Sequence, residues 1–232
     1  MRTINKPFVI ITVIAVIVIT LASVGPTVYR VVTTPGIKTE ALDADDAQPA
    51  STNINGNWTI VPGAGRNATQ VGFTFHEALP GQRKDTSGST HAVTGNVVVA
   101  DNTLQSADLT VDTDTLRTDI KKRDINVKMK ILHTDKYPTA TFTTDKKVDL
   151  SGIPADGTTG EVVIPGTLTL HGVSREVQPT FTVLRTGKRV LLYSDLPVNR
   201  KDYGVETPEF VAAVIAEEGE LNIRLDLEKT DQ

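Results

Sequence analysis

Hydrophobic and polar residues alternate along most of this chain. In TQVGFTF (69–75), Val71, Phe73 and Phe75 fall on one side. ADLTVDT (107–113), ATFTT (140–144), TLTL (167–170) and TFTV (180–183) repeat the pattern. LNIRLDLE (221–228) is the clearest case, with Leu221, Ile223, Leu225 and Leu227 interleaved with Asn222, Arg224, Asp226 and Glu228. A period of two, rich in Thr and Val, predicts half-buried antiparallel strands, about eight of them. Ala100-Asp101-Asn102 and Pro154-Ala155-Asp156-Gly157 mark turns between strands. An antiparallel set of this size fits a closed barrel, because closure removes exposed edges. A barrel of about eight strands leaves room for packed side chains or for one small ligand.

Two segments break the alternation. TDIKKRDINVKMKILH (118–133) places Ile120, Asp124, Val127 and Ile131 at helical spacing. It predicts a short helix capped by Thr118 and ended by Tyr137-Pro138. Near the N-terminus, Pro7 to Tyr29 contains no charged residue, with Arg2 and Lys6 before it and Arg30 after. A helix needs about 20 apolar residues to cross a bilayer, and this run reaches that length with its flanks. Two readings compete: an uncleaved single-pass transmembrane helix, or a signal peptide. The run is long for a signal peptide, and cleavage after Ser23-Val24-Gly25 would leave Pro26 at the cut. Basic flanks nearly balance, so orientation rests on the following large region, which favours the domain on the extracytoplasmic side. The predicted organisation is a membrane anchor over 1–30, a flexible linker over 31–54 and a barrel domain over 55–230. The linker, rich in Thr, Pro, Ala and Asp, shows neither period.

Composition narrows the chemistry. The absence of cysteine removes disulfides, thiolate catalysis and Cys-ligated metals. The net charge of −4 argues against a nucleic-acid binder. His76, His91, His133 and His171 are scattered without metal-ligand spacing, so no metal is expected. No nucleophile elbow, phosphate loop or dinucleotide fingerprint occurs, and no catalytic residue is assigned. Glu217, Glu218 and Glu220 read as a solvated loop before the last strand. Lysines and arginines outnumber acids over 118–136, giving a solvated helix face, or a surface for anionic headgroups or a phosphate at a barrel mouth. Arg123-Asp124 and Arg200-Lys201-Asp202 read as partly buried structural pairs or headgroup ligands, with Gly204 in a tight turn. In GTLTLHGVSREV (166–177), His171 reads as a solvent-facing turn residue opposite Leu168 and Leu170.

The ordered stretches NWTIVPG (57–63), VGFTF (71–75), VTGNVVV (93–99), TDIKKRD (118–124), YPTATF (137–142), GTLTLHGVSREV (166–177) and VNRKDYGVE (198–206) resemble the YceI-like family of lipocalin-like extracytoplasmic proteins. The resemblance spans nearly all of 57–228. It implies an eight-stranded antiparallel lipocalin-like β-barrel with a helical segment, holding an isoprenoid quinone, a prenyl phosphate or a fatty-acid derivative. It implies no enzyme activity and no cofactor besides such a bound lipid. One departure is Gly65-Arg66-Asn67-Ala68-Thr69, which stands where many relatives carry a His-Ser pair.

The expected function is a membrane-tethered lipid carrier. Phe73, Phe75, Phe142, Leu168, Phe181 and Ile223 are the candidate tail contacts, and Arg123 and Arg200 the candidate headgroup contacts. The expected partners are an isoprenoid or other lipid and the membrane. Two alternatives stand beside it: a barrel filled by side chains that serves protein interaction or envelope protection, and a lipid-modifying enzyme with a titratable pair inside the lumen.

Overall fold

The computed structural model describes residues 6–33, 36–79, 82–207 and 214–230. These fall into two compact units divided after Thr34. The first contains α1 (Lys6–Thr33), 28 residues with Pro26 inside it. Thr20 donates its hydroxyl to the Val16 carbonyl at 2.8 Å, so this polar group is satisfied within the helix. Side chains are described from Val13 to Pro26, and Val13, Ile17, Ile19 and Leu21 are all exposed. Among the described residues no helix is long and apolar enough to cross a membrane. The flanking Arg2 lies outside the described residues.

The second unit is a strongly curled antiparallel sheet. Its strands are β1 (Gly56–Val61), β2 (Gln70–Leu79), β3 (Gln82–Thr90), β4 (Val93–Ala100), β5 (Thr103–Asp112), β6 (Thr139–Thr144), β7 (Val148–Asp149), β8 (Thr159–Val163), β9 (Gly166–Leu170), β10 (Val173–Val177), β11 (Thr180–Thr186), β12 (Arg189–Asn199) and β13 (Val214–Lys229). The hydrogen-bonded path runs β10-β9-β6-β5-β4-β1-β13-β12-β11-β8, with β2, β3 and β7 attached beside it. Among the described residues thirteen strands therefore replace the expected eight. β7 is two residues long, and β8 (TGEVV) and β10 (VSREV) do not alternate apolar and polar residues. β3 (QRKDTSGST) has no apolar residue at all; Ser87 and Ser89 meet Thr74 and Gln70 on the outer face. Nor is the barrel closed by hydrogen bonds: among the described residues β10 pairs with β9 and β8 with β11, and no ladder joins those two ends.

β13 is the spine of the sheet. It pairs with β12 from Asn199↔Glu218 to Arg189↔Glu228. Along its other side it pairs first with β2 and then with β1. Its apolar row, Ile223, Leu225 and Leu227, faces the core as the alternation requires. The polar row differs from expectation. Asn222, Arg224 and Asp226 are buried as well.

Asn222 is enclosed by Thr74 and Asp195, and Asp226 by Gly63, Thr69 and Arg189, while Arg224 reaches the segment read as a flexible linker through the Glu40 carbonyl. From Gly36 to Ile54 this segment lies against the sheet. Gly36 bridges Ser87, Ile37 donates to the Ser87 carbonyl, and Thr39 is fully buried. Asp43 pairs with Arg66 at 2.8 Å and exchanges two bonds with Asn67. Further along, Ala50 donates to Ala155 and Ser51 to Gly187, both at 2.7 Å. The strap has no period because it is neither helix nor strand. Its partners are isolated bridges and side chains distant in sequence.

The expected helix is present as α2 (Lys121–Asn126), which continues as one π turn over Val127–Ile131. Asp124 and Val127 are buried, as their spacing predicts. Thr118 does not cap it, since Ile120 holds the cap position without a side-chain bond. Instead Asp124 reaches back to accept from the Thr118 amide at 2.6 Å and its hydroxyl at 2.7 Å.

The β9–β10 hairpin turns through His171 (φ 53°) and Gly172 (φ 75°). Two left-handed residues suit the twist of a tight hairpin. A Cβ on Gly172 would lie 2.5 Å from the Tyr137 ring. Gly172→Val is therefore expected to cost roughly 2 kcal/mol, from backbone strain together with the ring clash. Urea unfolding measures it, and an unchanged midpoint would contradict the stated packing.

Candidate ligand-binding site

The inward rows of the strands do not fill the space they enclose. A cavity of about 460 Å³ remains, within the roughly 300–1,000 Å³ of known small-molecule sites. Its body is apolar: Val71, Phe73 and Phe75 from β2, Leu109 and Val111 from β5, Leu221 and Ile223 from β13. α2 and its π turn add Val127 and Ile131 at one end. The helix closes that end because Asp124 and Thr118 fasten its base, while Val127 faces the core. Among the described lining residues, the titratable ones are Glu77, Arg123, Lys130 and Arg200, in this helix or in the terminal parts of β2 and β12–β13. One end is therefore polar and charged, and the rest is hydrocarbon.

All eight residues singled out from the sequence reach the wall of this one cavity: Phe73, Phe75, Phe142, Leu168, Phe181, Ile223, Arg123 and Arg200. The six apolar ones share the inward face of their strands. Leu109↔Phe142 and Phe142↔Leu168 are cross-strand neighbours, so three strands present one continuous apolar row. Phe73 and Phe75 stand with ring centroids 6.3 Å apart.

The two arginines differ from each other. Arg123 pairs with Asp119 rather than with its neighbour Asp124, and both side chains are largely covered, at 14% and 16% exposure. Arg200 is buried, and its guanidinium is engaged with the protein: Val205 O at 2.7 Å, Ala216 O at 3.2 Å and Thr207 Oγ1 at 3.3 Å. It does not pair with Asp202. Its visible work is to fasten the turn after β12 to the start of β13. The turn itself ends at Gly204 in the left-handed region (φ 65°), as expected.

Lys84 of β3 is opposite Glu77 in register. Partial burial, and then the nearby Arg123 charge, hold its ammonium below the usual lysine range. The mouth is thus a mixed cluster with an excess of positive charge. Lys130 belongs to the basic stretch 118–136, for which a phosphate at a barrel mouth is one reading, whereas Glu77 and Lys84 carry no such signal, because no local spacing brings β2, β3 and the helix together. Leu196 and Val198 of β12 also line the cavity. Their alternation in DLPVN was visible, though Pro197 interrupts the reading.

His171 is not part of this wall and does not point to solvent. It is half-buried, with its ring 4.4 Å from that of Tyr137. Its Nδ1–H donates to the Tyr203 carbonyl at 3.2 Å. The turn conformation pulls the side chain sideways onto these neighbours, which alternation alone does not reveal. The acidic cluster also differs from expectation: Glu217, Glu218 and Glu220 are part of β13, and Glu217 pairs with Lys201. Among the described residues no group of three or more potential ligands could hold a metal ion.

A model of the YceI-like domain matches residues 58–227. Among solved structures, a polyisoprenoid-binding domain from Saccharophagus degradans, implicated in plant cell wall breakdown, superposes with a TM-score of 0.60 at 20% identity, covering 75% of this chain and 98% of that one. BcnA of Burkholderia cenocepacia gives 0.56 at 22% identity, covering 68% and 95%. No curated protein matches this chain.

Proposed function

This chain is a member of the YceI-like domain family, and on that footing we propose that its barrel carries a long apolar lipid of the isoprenoid class. The tail would lie along Phe73, Phe75, Phe142, Leu168, Phe181 and Ile223, and the polar end beside Arg123 and Lys130. The observation that carries this reading is the cavity of about 460 Å³, apolar along its body and charged at one end. Each methylene moved from water into such a space contributes about 0.8 kcal/mol, so a long chain binds tightly without any reaction. An unfilled lumen speaks against the alternative of a barrel packed by its own side chains. No reaction is assigned, since the titratable lining groups sit at the mouth rather than around an enclosed reacting centre.

The proposal extends to place. The described side chains of α1, from Val13 to Pro26, show no polar face, and a segment of this kind is favoured inside protein or lipid. α1 would hold the domain at a bilayer on the extracytoplasmic side, close to the source of its ligand. Cleavage of this segment as a signal peptide would instead release the domain.

Native mass spectrometry of the gently purified chain tests the carrier reading. The expected result is a copurifying isoprenoid, or uptake of a prenyl phosphate by delipidated protein. Neither signal appearing would sink it. Arg123→Gln is expected to weaken uptake of a prenyl phosphate about tenfold, from one lost charge-assisted contact of roughly 1.5 kcal/mol. Uptake of the matching prenyl alcohol should stay the same. Equal losses for both ligands would remove Arg123 from the headgroup site.

A further inference from the structure

The lumen has a second chamber. A cavity of about 80 Å³ lies deeper in the same barrel, walled by residues such as Trp58, Ile60, Leu104, Leu225 and Leu227. The inward rows of the long strands run from one chamber into the other. On β13, Leu221 and Ile223 line the larger space, and Leu225 and Leu227 line the smaller. On β12, Val198 and Leu196 line the larger, and Leu192 and Val190 the smaller. Three residues are common to both walls: Leu109, Phe142 and Phe181.

These three form the partition. All are buried, at 8%, 9% and 4% exposure. Leu109 and Phe142 are directly opposed across β5 and β6. The Phe142 ring rests on Gly166, where an added Cβ would come within 2.5 Å of it. A glycine at that point leaves the ring a shelf instead of a side-chain neighbour. On its other faces the ring borders the two cavities, so its displacement exchanges volume between them.

We infer that the smaller chamber is a distal subsite for the end of the ligand tail, and that Phe142, with Leu109 and Phe181, sets the longest chain the protein accepts. This rests on the carrier reading above and deepens it. About 10–15 Å³ of such space holds one water-sized group, so 80 Å³ takes several carbons, on the order of one isoprene unit. A chain that stops at the partition uses only the large chamber. One that tilts Phe142 aside gains burial for its last unit, and each added methylene is worth roughly fourfold in affinity.

The test uses the full chain, delipidated, offered an equimolar ladder of prenyl alcohols of increasing length and read by native mass spectrometry. Three proteins are compared: wild type, Phe142→Leu, and Ala107→Leu, which fills the small chamber from the β5 side without emptying the core. Ala107 belongs to the small-chamber wall alone. Phe142→Leu is expected to move the preferred length up by one isoprene unit, with about a tenfold gain for the longest chain. Ala107→Leu is expected to lose the longest chain about tenfold and to leave shorter chains unchanged. Any result in which both variants scale all lengths equally overturns the partition while leaving the carrier reading intact. A wild type that takes up no chain of any length overturns the carrier reading itself, and the partition with it.

Discussion

Arg224→Ala is expected to destabilise the barrel domain by about 4 kcal/mol, since it leaves several buried acceptors bare at roughly 1–3 kcal/mol each. Arg224 is 7% exposed and sits on the outer face of β13. Its guanidinium donates to Ala68 O at 2.9 Å, Glu40 O at 3.0 Å and Gln70 Oε1 at 3.1 Å. Burial lowers its pKa, and the Glu40 charge works in the opposite direction. The same layer continues through Gln70–Ser89, Thr74–Asn222 and Asn222–Asp195. Asp226 takes Arg189 at 2.7 Å, and its amide donates to Thr69 Oγ1 at 2.9 Å. A network of this kind is costly when half-satisfied, because the remaining partners stay buried without water.

The thermal midpoint should fall by roughly 10 °C, taking about 2–4 °C per kcal/mol for a domain of this size. Hydrogen exchange gives an independent readout. The Ile37 amide, bonded to Ser87, and the Ala50 amide, bonded to Ala155, should lose protection together as the strap lifts. A midpoint shift under about 2 °C would mean that the strap is not fastened through Arg224.

Ile223→Trp is expected to remove ligand uptake while sparing the fold. Ile223 lines the larger chamber on the side next to the smaller one, opposite Ser194 on β12 and Val71 on β2. In a close-packed core an added ring would cost about 1–3 kcal/mol. Here the indole enters space that is already empty, so the extra contacts offset the strain. Uptake of any prenyl chain should fall by about a hundredfold or more, because the ring occupies the volume of several methylenes worth roughly 0.8 kcal/mol each. The thermal midpoint should stay close to that of the wild type. Uptake that survives this substitution would show that the tail does not use the chamber. A collapse of the midpoint would show that the chamber is smaller in solution than about 460 Å³.

The two outcomes are opposite by design. Arg224 holds the barrel from outside, through partners that line neither chamber, whereas the Ile223 side chain faces the lumen. Stability and binding therefore separate on one strand, on alternate residues of the same period.

That strand also shows where reading the chain succeeds and where it stops. The alternation in LNIRLDLE determined an antiparallel strand and assigned Leu221, Ile223, Leu225 and Leu227 to the core. Period two is a consequence of backbone pleat, so it survives whatever the strand packs against. For the same reason Phe73, Phe75, Phe142, Leu168 and Phe181 could be placed on an inward face, and all five reach one cavity wall. Helical spacing likewise placed Asp124 and Val127 inward. The ordered motifs identified the family over nearly the same residues that its domain model matches.

What the period cannot say is what lies on the other side. Asn222, Arg224 and Asp226 looked like a solvent face and are buried, because residues distant in sequence close over them: Thr74 and Asp195 on Asn222, Gly63 and Thr69 on Asp226, and the strap carbonyl of Glu40 on Arg224. That strap, Gly36 to Ile54, was read as a flexible tether, since its bonds run to residues such as Ser87, Ala155 and Gly187 that no local window contains. Arg200 and Arg123 illustrate the same limit. Each was a basic residue with an acid nearby, yet one is enclosed by backbone carbonyls and the other pairs a full turn away. Nor could alternation decide whether the inward rows meet or leave a space between them. Side-chain direction is a local property of the backbone and is written in the sequence. Burial, hydrogen-bond partners and empty volume depend on segments brought together by folding, and only the tertiary structure of this protein decides them.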